Sequence, residues 1–426
     1  MNQTVNLKEW DSIILKDIEL PDNDTRDIAK VLNNKGIIEI IELKGGLSIS
    51  SNSYVGRIRL GELQINVYPK INGMPLYKLL RYAYGLRELK LFNEAEHDIG
   101  NFKFFDLLIY ELYVEAEDLL HRGIQKSYIK RGENLSSPRG RIDINKLCGQ
   151  GGITKDTLPC NYFNRDENNI LNKTLLAGLK LGLKLVLETG LKIKLQKLCF
   201  SLEENISDIT LTKASLKSAR NSINRLTRRY SAVLEIINIL YESQGIQLEG
   251  SSKHINLRGY FFDMNAFFET LIGRLLQNCS EGYSVKDQYS LHDMFIYTSG
   301  FNPCHRKSPT PRPDFALMKE GRVVKLLDAK YRDLWERSLP AKMLYQLAIY
   351  AVSGIGNKTA TILYPTLSDI PTNAKININD PISCGNIASV ILQPVNLEKV
   401  AELVSGDLGE LMGYIMEMIR LKRCYY

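Results

Sequence analysis

Residues 312–331 read Arg-Pro-Asp-Phe-Ala-Leu-Met-Lys-Glu-Gly-Arg-Val-Val-Lys-Leu-Leu-Asp-Ala-Lys-Tyr, and they constrain the fold more than any other stretch. Asp314 opens a short apolar run, Phe315 to Met318. Lys319-Glu320-Gly321 reads as a hairpin turn, with glycine where positive φ costs little. Val323 to Tyr331 reads as a second strand whose apolar residues hardly alternate, as in a central strand covered on both faces. Asp328 and Lys330 break that run. Two apart on a strand, they point the same way. A lone carboxylate or ammonium buried there is costly. The pair is therefore either a partly buried ion pair at a strand end or part of a chemical site.

The chemical reading places Asp314 and Asp328 at adjacent strand ends, sharing a Mg²⁺ for which Mn²⁺ can substitute. The Ala329 carbonyl offers a third hard oxygen. Lys330 then orients or helps deprotonate the attacking water and offsets developing charge on a phosphate. The arrangement resembles the metal site of PD-(D/E)xK nucleases. The pattern is weak by itself. Pro21-Asp22 followed by Glu42-Leu43-Lys44 fits it too, but Thr25 to Asn33 reads as a helix between the halves, so no hairpin joins them. Pro340 to Ser353 reads as a helix carrying Gln346 and Tyr350 on one face. A Gln-x-x-x-Tyr helix after the second strand is similar to the RecB-like branch of these nucleases; the alternative is a helix with two ordinary polar residues. Asp263-Met264-Asn265 is expected to cap a helix running to Cys279. Its Glu269 is a further candidate catalytic residue, since a glutamate there often faces the metal in such folds.

Other chemistries find little support. The seven cysteines are odd in number and show no C-x-x-C spacing, which argues against a disulfide framework, a zinc ribbon or an iron–sulfur cluster. None of the five histidines is paired at metal-ligand spacing. No G-x-x-x-x-G-K-[ST] loop occurs, so the chain is not expected to hydrolyse nucleotide. The 55 Lys and Arg exceed the 48 Asp and Glu to give +7, which permits a polyanionic partner without requiring one. The polar opening residues and the lack of a long apolar run predict a cytoplasmic protein without membrane contact.

In chain order, a helix is expected over Thr25 to Asn34, capped from Asp24, and then short strands from Gly36 to Lys70 in a small barrel or curled sheet. Amphipathic helices are expected at Pro75 to Leu86 and Phe104 to His121, and a helix running to Leu185 with Asp166 and Glu167 in its first turn. Another helical run spans Ser215 to Ser243. Between these, Lys126 to Arg141 is basic. Arg139 and Arg141 there, like Tyr350 later, are candidate contacts to DNA phosphate or to a protein partner. The strands of the last third are expected at Tyr283 to Tyr289, Met294 to Tyr297, the 314–331 pair, Thr361 to Tyr364 and Ala388 to Leu392. A closing helix runs over 396–421. The expectation is a mixed α/β or α+β chain in three domains. Residues 1–75 form a small β module, 76–255 a mostly helical middle with the basic loop and strand, and 256–426 a PD-(D/E)xK restriction-endonuclease-like core.

Several blocks in order resemble the McrC family, the nuclease subunit of McrBC-type modification-dependent restriction systems. They are Leu76-Tyr77-Lys78-Leu79-Leu80-Arg81-Tyr82-Ala83-Tyr84-Gly85, Arg139-Gly140-Arg141-Ile142-Asp143, Asn164 to Asn172, Met264-Asn265-Ala266-Phe267-Phe268-Glu269, and Pro313 to Tyr331 with Tyr345-Gln346. The likeness runs from about residue 70 to the end. It implies Asp314, Asp328 and Lys330 as catalytic residues in a Mg²⁺-dependent endonuclease. It also implies modified DNA of the 5-methylcytosine type as substrate and an McrB-like AAA+ GTPase hexamer as partner, whose hydrolysis the chain stimulates. The competing readings are a stand-alone RecB-like DNA nuclease and a non-catalytic adaptor of an AAA+ motor.

Overall fold

A computed structural model describes residues 3–71, 73–86, 104–149, 152–153, 156–243, 259–279 and 282–419. The described residues of 1–104 and 245–426 pack as one compact unit, and those of 105–244 as a second.

The first unit begins with β1 (Gln3–Lys8), β2 (Ser12–Lys16), α1 (Asn23–Asn34), β3 (Ile38–Leu43), β4 (Gly46–Ser51), β5 (Tyr54–Leu60), β6 (Leu63–Tyr68) and α2 (Gly73–Tyr84). Alternating burial on β6 turns one face of the strand inward, the period-2 signature of half-covered sheet. The cap of α1 is Asp22, whose side chain accepts from the Thr25 N–H, two residues before the expected Asp24. Asp22 with Glu42 is the second fit to the nuclease pattern. Here Asp22 caps a helix and Glu42 pairs with Arg26 at 3.0 Å, so no site forms.

The second unit holds α3 (Phe104–His121), β7 (Ser127–Leu135), β8 (Arg141–Ile142), α4 (Ile144–Gly149), β9 (Leu158–Asp166), α5 (Ile170–Leu185), α6 (Thr189–Glu203), α7 (Lys213–Asn221) and α8 (Ser231–Ser243). Its strands form a three-stranded sheet in the order β7-β9-β8. Asn169 caps α5 by accepting from the Leu171 and Asn172 N–H groups, so the helix starts after Asp166 and Glu167 rather than containing them. Buried Asn172 donates to the Gln125 and Glu167 carbonyls, and the Tyr230 hydroxyl donates to its side-chain oxygen at 2.6 Å. The run expected over Ser215 to Ser243 is broken. A turn at Asn224–Thr227 and a short 3₁₀ segment separate α7 from α8, with the Asn224 side chain accepting from the Leu226 and Thr227 N–H groups.

The first unit resumes with β10 (Gly259–Asp263), α9 (Met264–Cys279), β11 (Ser284–Asp287), β12 (Phe315–Lys319), β13 (Arg322–Ala329), α10 (Ala341–Val352), β14 (Thr359–Thr366), β15 (Ala374–Asn379), β16 (Asn386–Asn396), α11 (Leu397–Leu403) and α12 (Leu408–Met418). The compact units do not follow the three expected segments, because β10 pairs antiparallel with β5 in the sheet β1-β6-β5-β10. Gly56 makes this pairing possible. A Cβ there would lie 1.9 Å from the Tyr260 carbonyl oxygen. The expected boundary at 255 lies outside the described residues. Phe261 joins Val5, Ile58 and Ile65 in one core shared with the sheet β2-β4-β3.

The larger sheet runs β11-β12-β13-β14-β16-β15. Its hairpin turn is Glu320-Gly321, both at positive φ (51° and 78°), the backbone of a tight two-residue hairpin. β13 is central, antiparallel to β12 and parallel to β14. Leu326 packs in a core with Leu347, Tyr350 and Ile362, which places α10 on that face, while α9 packs against β11 and β13. No strand forms at Met294 to Tyr297. Phe295, Ile296 and Tyr297 are exposed there, so the apolar run has no sheet face to cover. The expected closing helix is two helices, with Asp407 capping the second.

Candidate active site

Asp314 stands at the start of β12, Asp328 is the penultimate residue of β13, and Lys330 follows that strand. The tight hairpin sets the register that brings Asp314 beside the end of β13. There the Ala329 N–H donates to Asp314 Oδ2 at 2.9 Å, and the Gln288 N–H donates to the Asp314 carbonyl at 2.7 Å. The Lys330 N–H donates to the Leu363 carbonyl on β14 at 3.0 Å. Lys330 Nζ then reaches both carboxylates, at 2.9 Å from Asp328 Oδ2 and 3.3 Å from Asp314 Oδ2. Asp314 and Asp328 are buried, and Asp328 Oδ1 has no hydrogen-bond partner. Ala329 contributes its N–H to the arrangement.

Two buried carboxylates share one cation, and the charges respond. Burial pushes the Asp328 carboxyl up to about 7, and the Asp314 charge adds to that, against the opposing pull of Lys330. Burial also disfavours the Lys330 ammonium, but Asp328 and Asp314 outweigh it and hold its pKa at about 12. Lys330 therefore keeps its proton at neutral pH.

Glu269 on α9 lies one amide away. Gln288 Nε2 donates to Glu269 Oε1 at 2.8 Å and to Asp314 Oδ1 at 3.4 Å. Burial, then Asp314, raise the Glu269 pKa. Gln288 itself holds φ 48°, a left-handed backbone uncommon outside glycine. Gln346 and Tyr350 meet as the helical spacing requires. Gln346 Nε2 donates to the Tyr350 hydroxyl at 2.7 Å, and that hydroxyl donates to the Arg312 carbonyl at 2.9 Å, fixing the chain two residues before Asp314. Burial raises Tyr350, with Asp328 and Asp314 adding to the effect. The structure thus gathers Asp314, Asp328, Lys330, Glu269, Gln346 and Tyr350 in the first unit. Among the described residues, no group of three or more His, Cys, Asp or Glu side chains is spaced to hold a metal, so a cation site here rests on the two aspartates.

Arg139 and Arg141 belong to the second unit. Arg139 stacks over the Tyr162 ring at 4.6 Å, and Arg141 is exposed on β8 opposite Asn161.

A family model described as "McrBC 5-methylcytosine restriction system component" matches residues 49–365. The chain belongs to this McrBC family. The resemblance carried by the sequence blocks is thereby borne out. No curated protein matches the sequence. The fold is similar to that of a chain in the refined half-complex from the tetradecameric assembly of Thermococcus gammatolerans McrB AAA+ hexamers with bound McrC. The identity is 17%, the match covers 98% of this chain and 99% of that one, and the TM-score is 0.66. A chain of the cryo-EM Thermococcus gammatolerans McrBC complex aligns at 19% identity over 65% of this chain and 88% of that one, with a TM-score of 0.49. At these identities the likeness concerns the fold. The mixed α/β architecture of this McrBC-family chain is that of its solved neighbour. No helix among the described residues is long and apolar enough to cross a membrane.

Sequence reasoning missed Gln288 and Glu9. A lone glutamine after a short strand carries no motif; only its left-handed turn and its two carboxylate neighbours mark it. Glu9 is fully buried, 322 residues away in sequence from the Tyr331 hydroxyl that donates to it at 2.8 Å.

Proposed function

We propose that this McrBC-family chain is the DNA-cutting subunit of a modification-dependent restriction complex, with a PD-(D/E)xK core built from α9, β11 to β14 and α10. The observation that carries the reading is the Asp328 carboxylate. It is buried at the end of a central strand, beside a second carboxylate, with one oxygen held by Lys330 and the other unpartnered. Such an atom lacks the partner that buried polar groups nearly always have. A hard divalent cation fits it: Mg²⁺, with Mn²⁺ as substitute, held by Asp314, Asp328 and the Ala329 carbonyl. When bound, the ion supplies Lewis-acid polarisation of a phosphoryl oxygen and a more acidic water.

The chain's own groups do the rest. Lys330 orients or helps deprotonate the attacking water and offsets phosphate charge, and Asp328 and Asp314 hold it beside both carboxylates. Glu269, raised by burial, is the acceptor offered for the water's proton, and Gln288 holds it near Asp314. Gln346 and Tyr350 fix the segment leading into Asp314.

The substrate is modified DNA of the 5-methylcytosine type, and the partner is an McrB-like AAA+ GTPase hexamer whose hydrolysis the chain stimulates. The family description and the absence of a nucleotide loop support this division of labour. The second unit supplies the docking surface. β7 is exposed along nearly its whole length, and Tyr128 and Phe163 stand 62% and 64% exposed in the three-stranded sheet that also holds Arg141. Neutralising Arg139 and Arg141 should therefore weaken partner binding and leave the salt dependence of DNA binding unchanged.

The test is cleavage of methylated and unmethylated plasmid with Mg²⁺, by the chain alone and with its ring partner and GTP. Cutting of methylated DNA only, and only with partner and nucleotide, is expected. Rapid cutting of both plasmids by the chain alone would favour a stand-alone nuclease. An inert complex that still hydrolyses GTP would favour an adaptor.

A further inference from the structure

The amino-terminal sheet meets the end of β13 at one corner. Glu9 follows β1, with its N–H donating to the Tyr68 carbonyl at 2.9 Å, and it is fully buried. Burying a carboxylate is costly unless donors hold it. Glu9 Oε1 accepts from the Lys70 N–H at 2.6 Å and from the Tyr331 hydroxyl at 2.8 Å. The next residue, Trp10, sits at φ 65°, a strained backbone for a bulky residue. Its carbonyl accepts from Arg337, and its ring lies 5.3 Å from the Arg332 guanidinium. Lys70 Nζ pairs with Glu336 at 2.9 Å. These links tie the Glu9–Trp10 corner and Lys70 to residues 331–337, the stretch that directly follows Lys330.

Tyr331 is the pivot. The sheet ladder reaches Lys330, whose N–H donates to the Leu363 carbonyl at 3.0 Å. The Arg332 N–H then donates to the Lys330 carbonyl at 2.8 Å, closing a three-residue turn centred on Tyr331. There the chain leaves the sheet, and the Tyr331 side chain anchors it. Its hydroxyl rests on Glu9, and its ring stands edge-on to Phe268 at 5.9 Å and 62°. Phe268 is the neighbour of Glu269 on α9. One buried tyrosine is thus bonded to Lys330 on one side and packed beside the turn of α9 that carries Glu269. Lys330 Nζ has to reach two carboxylates at once, and groups in such a constellation work only when held to within about 0.5 Å by their surroundings.

We propose that Glu9 is a positioning residue for the candidate nuclease site, fixing the Tyr331 hydroxyl from the amino-terminal sheet and so setting the Lys330 backbone against α9. The proposal rests on the nuclease reading. Glu9 touches no reacting atom and acts through Tyr331. The amino-terminal sheet is thereby part of the framework of the site rather than a separate module.

The test is single-turnover cleavage of methylated plasmid by the full chain with the proposed GTPase ring, Mg²⁺ and GTP, with plasmid affinity and GTP hydrolysis read alongside. Tyr331→Phe keeps the ring against Phe268 and removes only the hydroxyl. It should slow cleavage by about tenfold or more and leave plasmid affinity and GTP hydrolysis as in wild type, since an ångström of misplacement can cost on the order of 10²-fold. Glu9→Ala should do the same, and the double variant should be no slower than either single one, because both remove one link. Glu9→Gln keeps an acceptor oxygen in place and should stay within about threefold of wild type. Full-rate cleavage by Tyr331→Phe, additive losses in the double variant, Glu9→Gln as slow as Glu9→Ala, or losses that match the unfolded fraction seen by circular dichroism would overturn the proposal. In each of those cases wild type still cuts and the nuclease reading stands; a wild-type complex that leaves the plasmid intact overturns both.

Discussion

Glu9→Gln should make the first unit more stable above pH 7 and leave it nearly unchanged below pH 4.5. Burial pushes the Glu9 carboxyl from 4.5 up to about 7, although the Lys70 N–H, the Tyr331 hydroxyl and the Lys70 charge all pull it down. A folded-state pKa above the unfolded value means that the folded chain holds more protons between the two values. Stability is therefore greatest below 4.5 and falls as pH rises toward 7. At about 1.36 kcal/mol for each pKa unit, the loss amounts to about 3 kcal/mol at neutral pH and above. Glutamine keeps the oxygen that Lys70 and Tyr331 contact and carries no charge, so the variant escapes that loss. Urea unfolding followed by tryptophan emission is the assay, because both tryptophans lie beside Glu9 and report on this unit. The stability difference between variant and wild type should open from near zero below pH 4.5 to about 3 kcal/mol above pH 7. A variant no more stable above pH 7, or stabilised equally at both ends, would refute the reasoning.

Three further outcomes follow from the same geometry. Gln288→Leu should sharply reduce DNA cleavage by the assembled complex while circular dichroism stays native, because the amide linking Glu269 to Asp314 is lost; undiminished cleavage would remove Gln288 from the site. Tyr350→Phe should cost about 1 kcal/mol in unfolding experiments through loss of the hydroxyl bond to the Arg312 carbonyl, and should lower cleavage by displacing Asp314. Gly56→Ala should destabilise the first unit by on the order of 2 kcal/mol or more, read in the same urea assay, because its Cβ would collide with the Tyr260 backbone.

What was legible in the sequence is what depends on short-range geometry. Strand alternation puts Asp328 and Lys330 on one side, a two-residue glycine turn sets Asp314 against them, and helical spacing pairs Gln346 with Tyr350. Each needs fewer than forty residues of context. The Met294 to Tyr297 run shows the limit of reading apolar residues alone: three exposed side chains form no strand, since no neighbouring edge takes them up. The helix breaks near residues 224 and 407 depend on Asn224 and Asp407 capping local N–H groups, a choice that propensity leaves open. The joining of the amino-terminal sheet to β10 and the burial of Glu9 against Tyr331 are long-range events. Neither strand nor glutamate carries a local sign of its distant partner, so the close approach that requires Gly56 at β5 becomes intelligible only in the folded unit.

The central claim is that Asp314, Asp328 and Lys330 form one hydrolytic site. The most direct measurement is cleavage of methylated plasmid by the complex of this chain with the proposed GTPase ring, Mg²⁺ and GTP, comparing wild type with Lys330→Ala. Abolished cleavage, with ring binding and GTP hydrolysis retained, is the predicted result; cleavage at the wild-type rate would contradict it.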